Sequence, residues 1–233
     1  MSIDYSLFLN TRKRVSTLSK LLDSIVNTAY DINQLELLIT VDDDDTESIE
    51  FLQSYNKISN IKLIIKPRPS NLHVSINNMA AQSTGDFLFV LNDDVLFLTR
   101  HWDKTVKEFY RDRKNDVYYL ATIDTSIDKT KNVRYPSFPI LTRKAYNTLG
   151  YFMSEKFVSH GGDVHLWRIF NSVDRILKTP IVLDHVMHNS QHNIEQMRSD
   201  PTAKEAIEMT FNNFVNCWNE DIANEIQLIE NAI

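Results

Sequence analysis

The 233-residue sequence contains a single cysteine, Cys217, and only four glycines. One cysteine excludes an intrachain disulfide and a cysteine-based metal cluster, and it favours a reducing compartment. Four scattered glycines leave no glycine-rich loop of the kind that cradles phosphate groups. A phosphate in a site of this chain must therefore be held by basic side chains, backbone N–H groups or a metal ion.

The sequence also lacks an excess of positive charge and any long apolar run. Its formal net charge is −6 at pH 7, which argues against a general nucleic-acid-binding protein. No apolar run approaches the roughly 20 residues of a membrane-spanning helix. The N-terminal residues lack the layout of a secretory signal, in which charge precedes an apolar core. We therefore expect a cytoplasmic protein without a transmembrane segment that binds no nucleic acid.

Apolar runs and amphipathic segments alternate through the first half of the chain. Four strands are predicted at residues 5–9, 35–41, 61–66 and 87–91. Three helices between them are predicted at residues 16–30, 47–58 and 74–84. This alternation is typical of βαβ units, and the continuous apolar strands favour a parallel sheet that helices cover on both faces.

The second half of the chain is less regular. Helices are predicted at residues 102–113, 144–149 and 163–173. Strands are predicted at residues 117–123, 138–143 and 179–188, and the polar segment Asp124 to Arg134 is predicted to be a loop. An amphipathic helix with one apolar face is predicted over residues 203–231.

These patterns predict an α/β fold: a mainly parallel, Rossmann-like sheet flanked by helices, with an amphipathic helix at the C-terminus. We expect one domain over residues 1–198, divided into halves at 1–98 and 99–198, and a helical extension over 199–233. The apolar face of the extension would pack either on the domain or on a partner. A homodimer through this helix is one form that such a partner contact could take.

Polar clusters follow three of the predicted strands directly. They read "NTRKR" at 10–14, "DDDD" at 42–45 and "NDD" at 92–94, and we expect the apolar residues 96–98 beyond the last cluster to lie in the core. Ligands of open parallel sheets bind at the carboxyl ends of the strands, so these clusters should meet in one crevice. Carboxylate oxygens are ligands for hard divalent cations, which bridge phosphates, and arginine adds charge-assisted hydrogen bonds. The combination suits a nucleotide diphosphate bound through a divalent cation.

In its first half the sequence resembles the GT-A-fold glycosyltransferases, in particular those of family 2. Their opening strand is similar to "FLNTRKR" at Thr11 and Arg14, and their second strand end is similar to "VDDDDT" at Asp42 and Asp43. The segment "STGDFLFVLNDD" then places the metal motif of the family on residues 92–94, with asparagine in place of the first aspartate.

The resemblance continues in the second half of the chain. The segment "HGGDVHLWRIF" is similar to the motif that carries the catalytic base, which falls on Asp163. Gly162 stands where the family has glutamate, and His165 stands where it has a second aspartate. The segment "VLDHVMHNSQHN" offers two positions for the metal-binding histidine of the family, His185 and His188, and the sequence does not separate them.

The resemblance implies a metal-dependent, inverting glycosyltransferase that moves a sugar from a nucleotide sugar, most simply a UDP-sugar, to a hydroxyl of a glycan or other acceptor. It implies Asp163 as the base, an ordinary ionised aspartate, and a Mn²⁺ or Mg²⁺ ion on Asp94 with His185 or His188. The implied nucleotide-binding residues are Thr11, Arg14, Asp42, Asp43, Asn77, Asn92 and Asp93.

Two other functions stay open at this point. A sugar nucleotidyltransferase could use a similar sheet, although it would need a glycine-rich loop after the first strand, and this chain has none there. A catalytically inactive relative that only binds a nucleotide or a glycan is the second alternative, and it is suggested by Asn92 and Gly162.

Overall fold

The computed structural model describes residues 3–113, 115–125, 136–158, 161–185, 216 and 219–233. The strands are β1 (Tyr5–Thr11), β2 (Leu35–Asp42), β3 (Ile61–Lys66), β4 (Phe87–Asn92), β5 (Val95–Phe97), β6 (Tyr119–Asp124), β7 (Ile140–Thr142) and β8 (Ile176–His185). The helices are α1 (Val15–Thr28), α2 (Thr46–Ser54), α3 (Leu72–Ala81), α4 (Trp102–Phe109), α5 (Arg143–Leu149), α6 (Gly162–Ser172) and α7 (Ala223–Ala232).

The eight described strands form one sheet in the order β3-β2-β1-β4-β7-β6-β8-β5. Strand β1 pairs in parallel with β2 and β4, β2 pairs in parallel with β3, and β6 with β8. Strand β7 is antiparallel to both β4 and β6, and β5 is antiparallel to β8. The predicted α/β fold is therefore confirmed, with a parallel first half and a mixed second half of the sheet.

Helices cover both faces of the first half of the sheet, because alternate residues of each strand are apolar on opposite faces. Leu7 and Leu9 of β1 face one buried cluster, to which α1, α2 and α4 contribute. Phe8, between them, faces the other cluster, to which α3, α5, α6 and α7 contribute. All three side chains are fully buried.

Strand β5 brings the end of β8 to the end of β4. Only Asp93 and Asp94 separate β5 from β4 in sequence, yet β5 pairs with β8 at the far end of the strand order. Val95 pairs in register with His185, so this histidine lies beside the aspartate turn. Phe97 is buried as expected, whereas Leu98 is 52% exposed, so its assignment to the core is wrong.

The C-terminal helix packs on the domain. Ile229 of α7 is fully buried in the same cluster as Leu149 of α5 and Ile169 of α6. Residues 220–222 are not helical, so one unbroken helix over residues 203–231 is wrong, and residues 203–215 lie outside the described residues. Within the described part of the chain, no helix is long and apolar enough to cross a membrane.

Candidate active site

The structure brings the three polar clusters together at one edge of the sheet. Asn10 near the end of β1 pairs in register with Thr40 of β2 on one side and with Asn92 of β4 on the other. The clusters that follow these strands therefore leave the sheet at the same level. This edge is where parallel sheets bind their ligands.

Arg14 joins the two adjacent aspartates of the β4–β5 turn. Its two terminal nitrogens donate hydrogen bonds to Asp93 Oδ1, at 2.8 Å, and to Asp94 Oδ2, at 3.0 Å. Thr11 Oγ1 donates to Asp93 Oδ2 at 2.8 Å. Burial raises the pKa of Asp93 to about 6, although the positive charge of Arg14 and the hydrogen bond from Thr11 oppose this rise. The predicted residues Thr11, Arg14, Asp93 and Asp94 thus form one contiguous group.

His185 lies on the other side of Asp94. Its Nε2 atom is 3.1 Å from Asp94 Oδ1, and its Nδ1 atom is 3.8 Å from Asp124 Oδ2. Burial alone would raise the pKa of Asp94, but His185 and Arg14 outweigh burial and hold it below its ordinary value. Burial alone would lower the pKa of His185, but Asp124 and Asp94 raise it to about 9. His188 lies outside the described residues.

Asp124 is a site residue that the sequence analysis missed. The sequence predicts a loop that begins at Asp124, but Asp124 is the last residue of β6, and residues 126–134 lie outside the described residues. The position of Asp124 in the sequence could have indicated this role, because the apolar run "YYLATID" ends on an acidic residue, as β2 does. The same rule about strand ends that selected Asp42 would have selected Asp124.

A second ion-pair group lies at the end of β2. Arg12 donates to Asp42 Oδ2 at 2.6 Å and binds both carboxylate oxygens of Asp44. Asp42 is buried, whereas Asp43 is exposed and donates its backbone N–H group to the carbonyl oxygen of Lys66 in β3. Asp45 caps α2 by accepting the N–H group of Ser48. Of the two predicted nucleotide contacts, Asp42 is the more firmly positioned and Asp43 the more accessible.

The two predicted asparagines have different environments. Asn92 is exposed at the end of β4, beside the aspartate turn. The side-chain oxygen of Asn77 accepts the N–H groups of Phe152 and Met153, and its amide group donates to Met153 O and Glu155 Oε1. Asn77 thus fastens α3 to the segment 152–155, which favours a structural role over a nucleotide contact.

Asp163 lies in the first turn of α6 and is half-buried. Gly161 precedes this helix in the left-handed region, with φ of 91°, so a glycine suits the turn that leads into it. Burial raises the pKa of the Asp163 carboxyl to about 6, and nearby backbone N–H groups oppose the rise only in part. The pKa of Asp163 is therefore higher than that of the ordinary aspartate expected from the sequence, because burial disfavours the charged form, but the carboxyl group is still mostly ionised at pH 7.

Residues 6–176 of the chain match the profile of glycosyl transferase family 2. The chain belongs to this family. A search of curated protein sequences found no significant match.

Solved structures of glycosyltransferases share the fold. The mannosyltransferase PcManGT from Pyrobaculum calidifontis, in complex with GDP-Man and Mn²⁺, superposes with a TM-score of 0.66 at 12% identity, over 85% of this chain and 61% of that one. TarS 1–349 from S. aureus, in complex with UDP-GlcNAc, gives 0.62 at 15% identity, over 84% of this chain and 65% of that one. A longer TarS structure gives 0.60 at 15% identity, and the match spans 78% of this chain but 35% of TarS.

The glycine that departs from the family pattern in "GGD" has a packing reason. A Cβ atom on Gly162 would lie 2.5 Å from Cε1 of His73 and 3.0 Å from Sδ of Met153, closer than side chains pack. His73 is buried, and its Nδ1 atom is 2.9 Å from the carbonyl oxygen of Ser154. The His73 ring thus fills the space that a side chain at position 162 would need. Glycine at position 162 therefore permits the close approach of α6 to α3.

His165, the other departure in this motif, is fully buried against Phe157. Burial lowers its pKa to about 4, so the ring is neutral at pH 7. A neutral buried imidazole carries no charge that could act in place of the aspartate expected here from the resemblance. His165 therefore packs in the core near the N-terminus of α6 and does not supply a carboxylate.

The donors at Asp94 suit the divalent cation that the family implies. Asp94 Oδ1 and His185 Nε2 are 3.1 Å apart, so a carboxylate oxygen and an imidazole nitrogen that could both bind a divalent cation lie side by side. Asp94 Oδ1 is also buried without a hydrogen bond of good geometry. Among the described residues, no group of three or more histidine, cysteine or acidic side chains is placed to hold a metal.

Proposed function

We propose that the protein is a metal-dependent, inverting glycosyltransferase that moves a sugar from a nucleotide sugar, in the first instance a UDP-sugar, to a hydroxyl acceptor. The observation that carries this proposal is the pair of buried Asp94 and half-buried His185 at the carboxyl edge of the sheet of a family 2 chain. Structural relatives bound to UDP-GlcNAc, or to GDP-Man and Mn²⁺, support it.

The donor would lie along the carboxyl edge of the sheet. Asp42 or Asp43 would accept hydrogen bonds from the nucleoside, and Arg12 and Arg14 would place positive charge beside the diphosphate. Asp94 and His185 would hold the Mn²⁺ or Mg²⁺ ion, which supplies charge that stabilises the departing nucleoside diphosphate.

Asp163 would act as the base on the acceptor side. With a pKa of about 6, its carboxyl is about tenfold more ionised than protonated at pH 7. The carboxylate would accept the proton of the acceptor hydroxyl as that oxygen attacks the anomeric carbon. A single displacement from the face opposite the diphosphate inverts the configuration at that carbon.

The direct test is release of nucleoside diphosphate from a panel of UDP- and GDP-sugars with Mn²⁺, with water and then simple glycans as acceptors. We expect Asp163→Asn to lower the rate at least 100-fold while the donor still binds, because proton removal is lost. Asp94→Asn should lower both metal binding and rate. Asp184→Asn, one residue before His185 on β8, is the matched control and should keep the wild-type rate.

Two results would contradict the proposal in different ways. Tight donor binding without turnover in any acceptor mixture would favour the inactive binding relative. Release of inorganic pyrophosphate from a nucleoside triphosphate and a sugar phosphate would identify a sugar nucleotidyltransferase.

A further inference from the structure

The ring of His185 is enclosed by three side chains. Asp94 faces Nε2 and Asp124 faces Nδ1, at the distances given above, and the two ring nitrogens therefore point at different carboxylates. Phe138 packs edge-on against the same ring, with centroids 5.1 Å apart and an angle of 70° between the planes. The orientation of the imidazole is thus fixed from three sides.

The second of these carboxylates is fixed by the sheet. Asp124 ends β6, which pairs in parallel with β8, and its register partner is Leu183. The Asp124 side chain is 1% exposed, so its carboxyl group is shielded from water. A buried carboxylate is costly without a partner. Because Nε2 of His185 faces Asp94, the ring nitrogen that faces Asp124 is Nδ1.

Such an arrangement decides which nitrogen of a histidine binds a cation. A metal binds a nitrogen that carries no proton, so a cation at one ring nitrogen must displace the proton there while the other nitrogen keeps its own. A carboxylate beside Nδ1 favours the tautomer with the proton there and increases the basicity of Nε2. Nε2 is the atom that faces Asp94.

We propose that Asp124 is the positioning residue of the metal site: it holds His185 in the orientation and tautomer in which Nε2, together with Asp94, binds the divalent cation. This inference rests on the proposed metal dependence. It adds a residue at the end of β6 that touches neither the cation nor the donor, and it selects His185 over His188.

The experiment is a titration of the full chain with Mn²⁺, followed by the electron paramagnetic resonance signal of free Mn²⁺, with and without saturating UDP. The variants are Asp124→Asn, Asp124→Ala, His185→Ala and the double variant Asp124→Ala/His185→Ala. Asp184→Asn is the matched control, because Asp184 lies on β8 beside His185 and binds Thr125. Circular dichroism and thermal unfolding of each variant separate loss of metal from loss of fold.

We expect both Asp124 variants to bind Mn²⁺ about 10- to 100-fold more weakly, as loss of such outer carboxylates does elsewhere. Asp184→Asn should stay within about twofold of wild type. The double variant should bind no more weakly than His185→Ala, because Asp124 acts through the histidine. That non-additivity would not arise if Asp124 only stabilised the fold.

Wild-type affinity in folded Asp124 variants would overturn the inference, as would losses that add in the double variant. Wild-type protein that binds no Mn²⁺ even with UDP would also overturn it. If sugar transfer persists in EDTA, that last result contradicts only the metal site, and the protein is still a glycosyltransferase. Absence of any sugar transfer would instead contradict the proposed function.

Discussion

Asp93, Asp94 and Asp163 are buried or half-buried carboxyls whose surroundings give them different pKa values. Arg14 contacts both Asp93 and Asp94, but only Asp94 also has His185, and only its pKa falls below the ordinary value. Asp163 has helix N–H groups near it, and its pKa rises to about 6. The neighbours of each residue therefore suit Asp94 to bind a cation and Asp163 to accept a proton.

At pH 7, Asp163→Asn should raise the free energy of unfolding by about 1–3 kcal/mol, because ionising Asp163 in the folded protein is unfavourable. Its folded pKa of about 6 lies above the ordinary value of 3.8, so its contribution to stability is full below about pH 4 and is lost as pH rises through 6. The gain should therefore vanish near pH 4. Urea unfolding at pH 4 to 8 measures it.

Asp112→Asn is the control for this comparison, since Asp112 is exposed and should show less than about 0.5 kcal/mol of change. Equal stability of Asp163→Asn and wild type at every pH would show that the carboxyl is not destabilised. A wild-type transfer rate that stays constant from pH 7 down to pH 4 would contradict the role of Asp163 as base.

At the scale of elements, the strands of the first half were predictable because each is an apolar run that polar residues or proline end. Strand β3 has the predicted bounds, 61–66, and its run ends at Pro67. The pairing in the second half was not predictable: β5 has three residues, and β7 inserts antiparallel between β4 and β6. Such pairings depend on contacts between segments that are distant in the sequence, so no periodic pattern in the local sequence indicates them.

The contacts of the candidate site within the first half of the sheet were predictable, whereas those that depend on the second half were not. The meeting of Arg14 with Asp93 and Asp94 followed from the rule that ligands bind at the carboxyl ends of parallel strands. The contact of His185 with Asp94 depends on the pairing of β5 with β8, for which the sequence carried only the family resemblance. The pKa of Asp163 depends on burial by other segments, which its own neighbours in sequence do not reveal.

The fit of α6 against α3 gives a prediction at this scale. Gly162→Ala should lower the free energy of unfolding by about 1–3 kcal/mol, because the added methyl group overlaps the His73 ring. The same substitution should be less costly by about 1 kcal/mol or more when His73 is already alanine, since the overlap is then gone. Urea unfolding of the two single variants and the double variant gives this coupling.

Gly150→Ala supplies the control for the cycle. Gly150 has a φ of 78° and nothing within 4 Å of the position of a Cβ atom, so its cost arises from the backbone. His73→Ala should not relieve that cost. If Gly162→Ala were equally costly with and without the His73 ring, the packing explanation for glycine at this position would be wrong.

At the scale of the whole molecule, the C-terminal segment is joined to the second half of the domain. Helix α7 buries Ile229 against α5 and α6, and Tyr151 donates a hydrogen bond to Glu225. Lys156 forms an ion pair with Glu220 at the start of this segment. These contacts connect the C-terminus to the segment 151–157, which itself contacts α3 through Asn77.

Ile229→Ala should lower the free energy of unfolding by about 2–5 kcal/mol, because it leaves a cavity in the shared core. Leu228→Ala, its neighbour on the exposed side of α7 at 46% exposure, should cost less than about 0.5 kcal/mol. Thermal and urea unfolding measure both. Equal small effects of the two variants would show that α7 does not pack on the domain. A change in the sedimentation coefficient for Ile229→Ala alone would favour the homodimer.

The central claim is that the carboxyl edge of the sheet binds a nucleotide diphosphate through a divalent cation, and a crystal structure with UDP and Mn²⁺ tests it most directly. We predict Mn²⁺ bound by Asp94, His185 and the diphosphate, with the nucleoside beside Asp42 or Asp43. Mn²⁺ away from Asp94 would contradict the account. So would UDP in the cavity of about 240 Å³ at the opposite edge, which Tyr5 at the start of β1 helps to line.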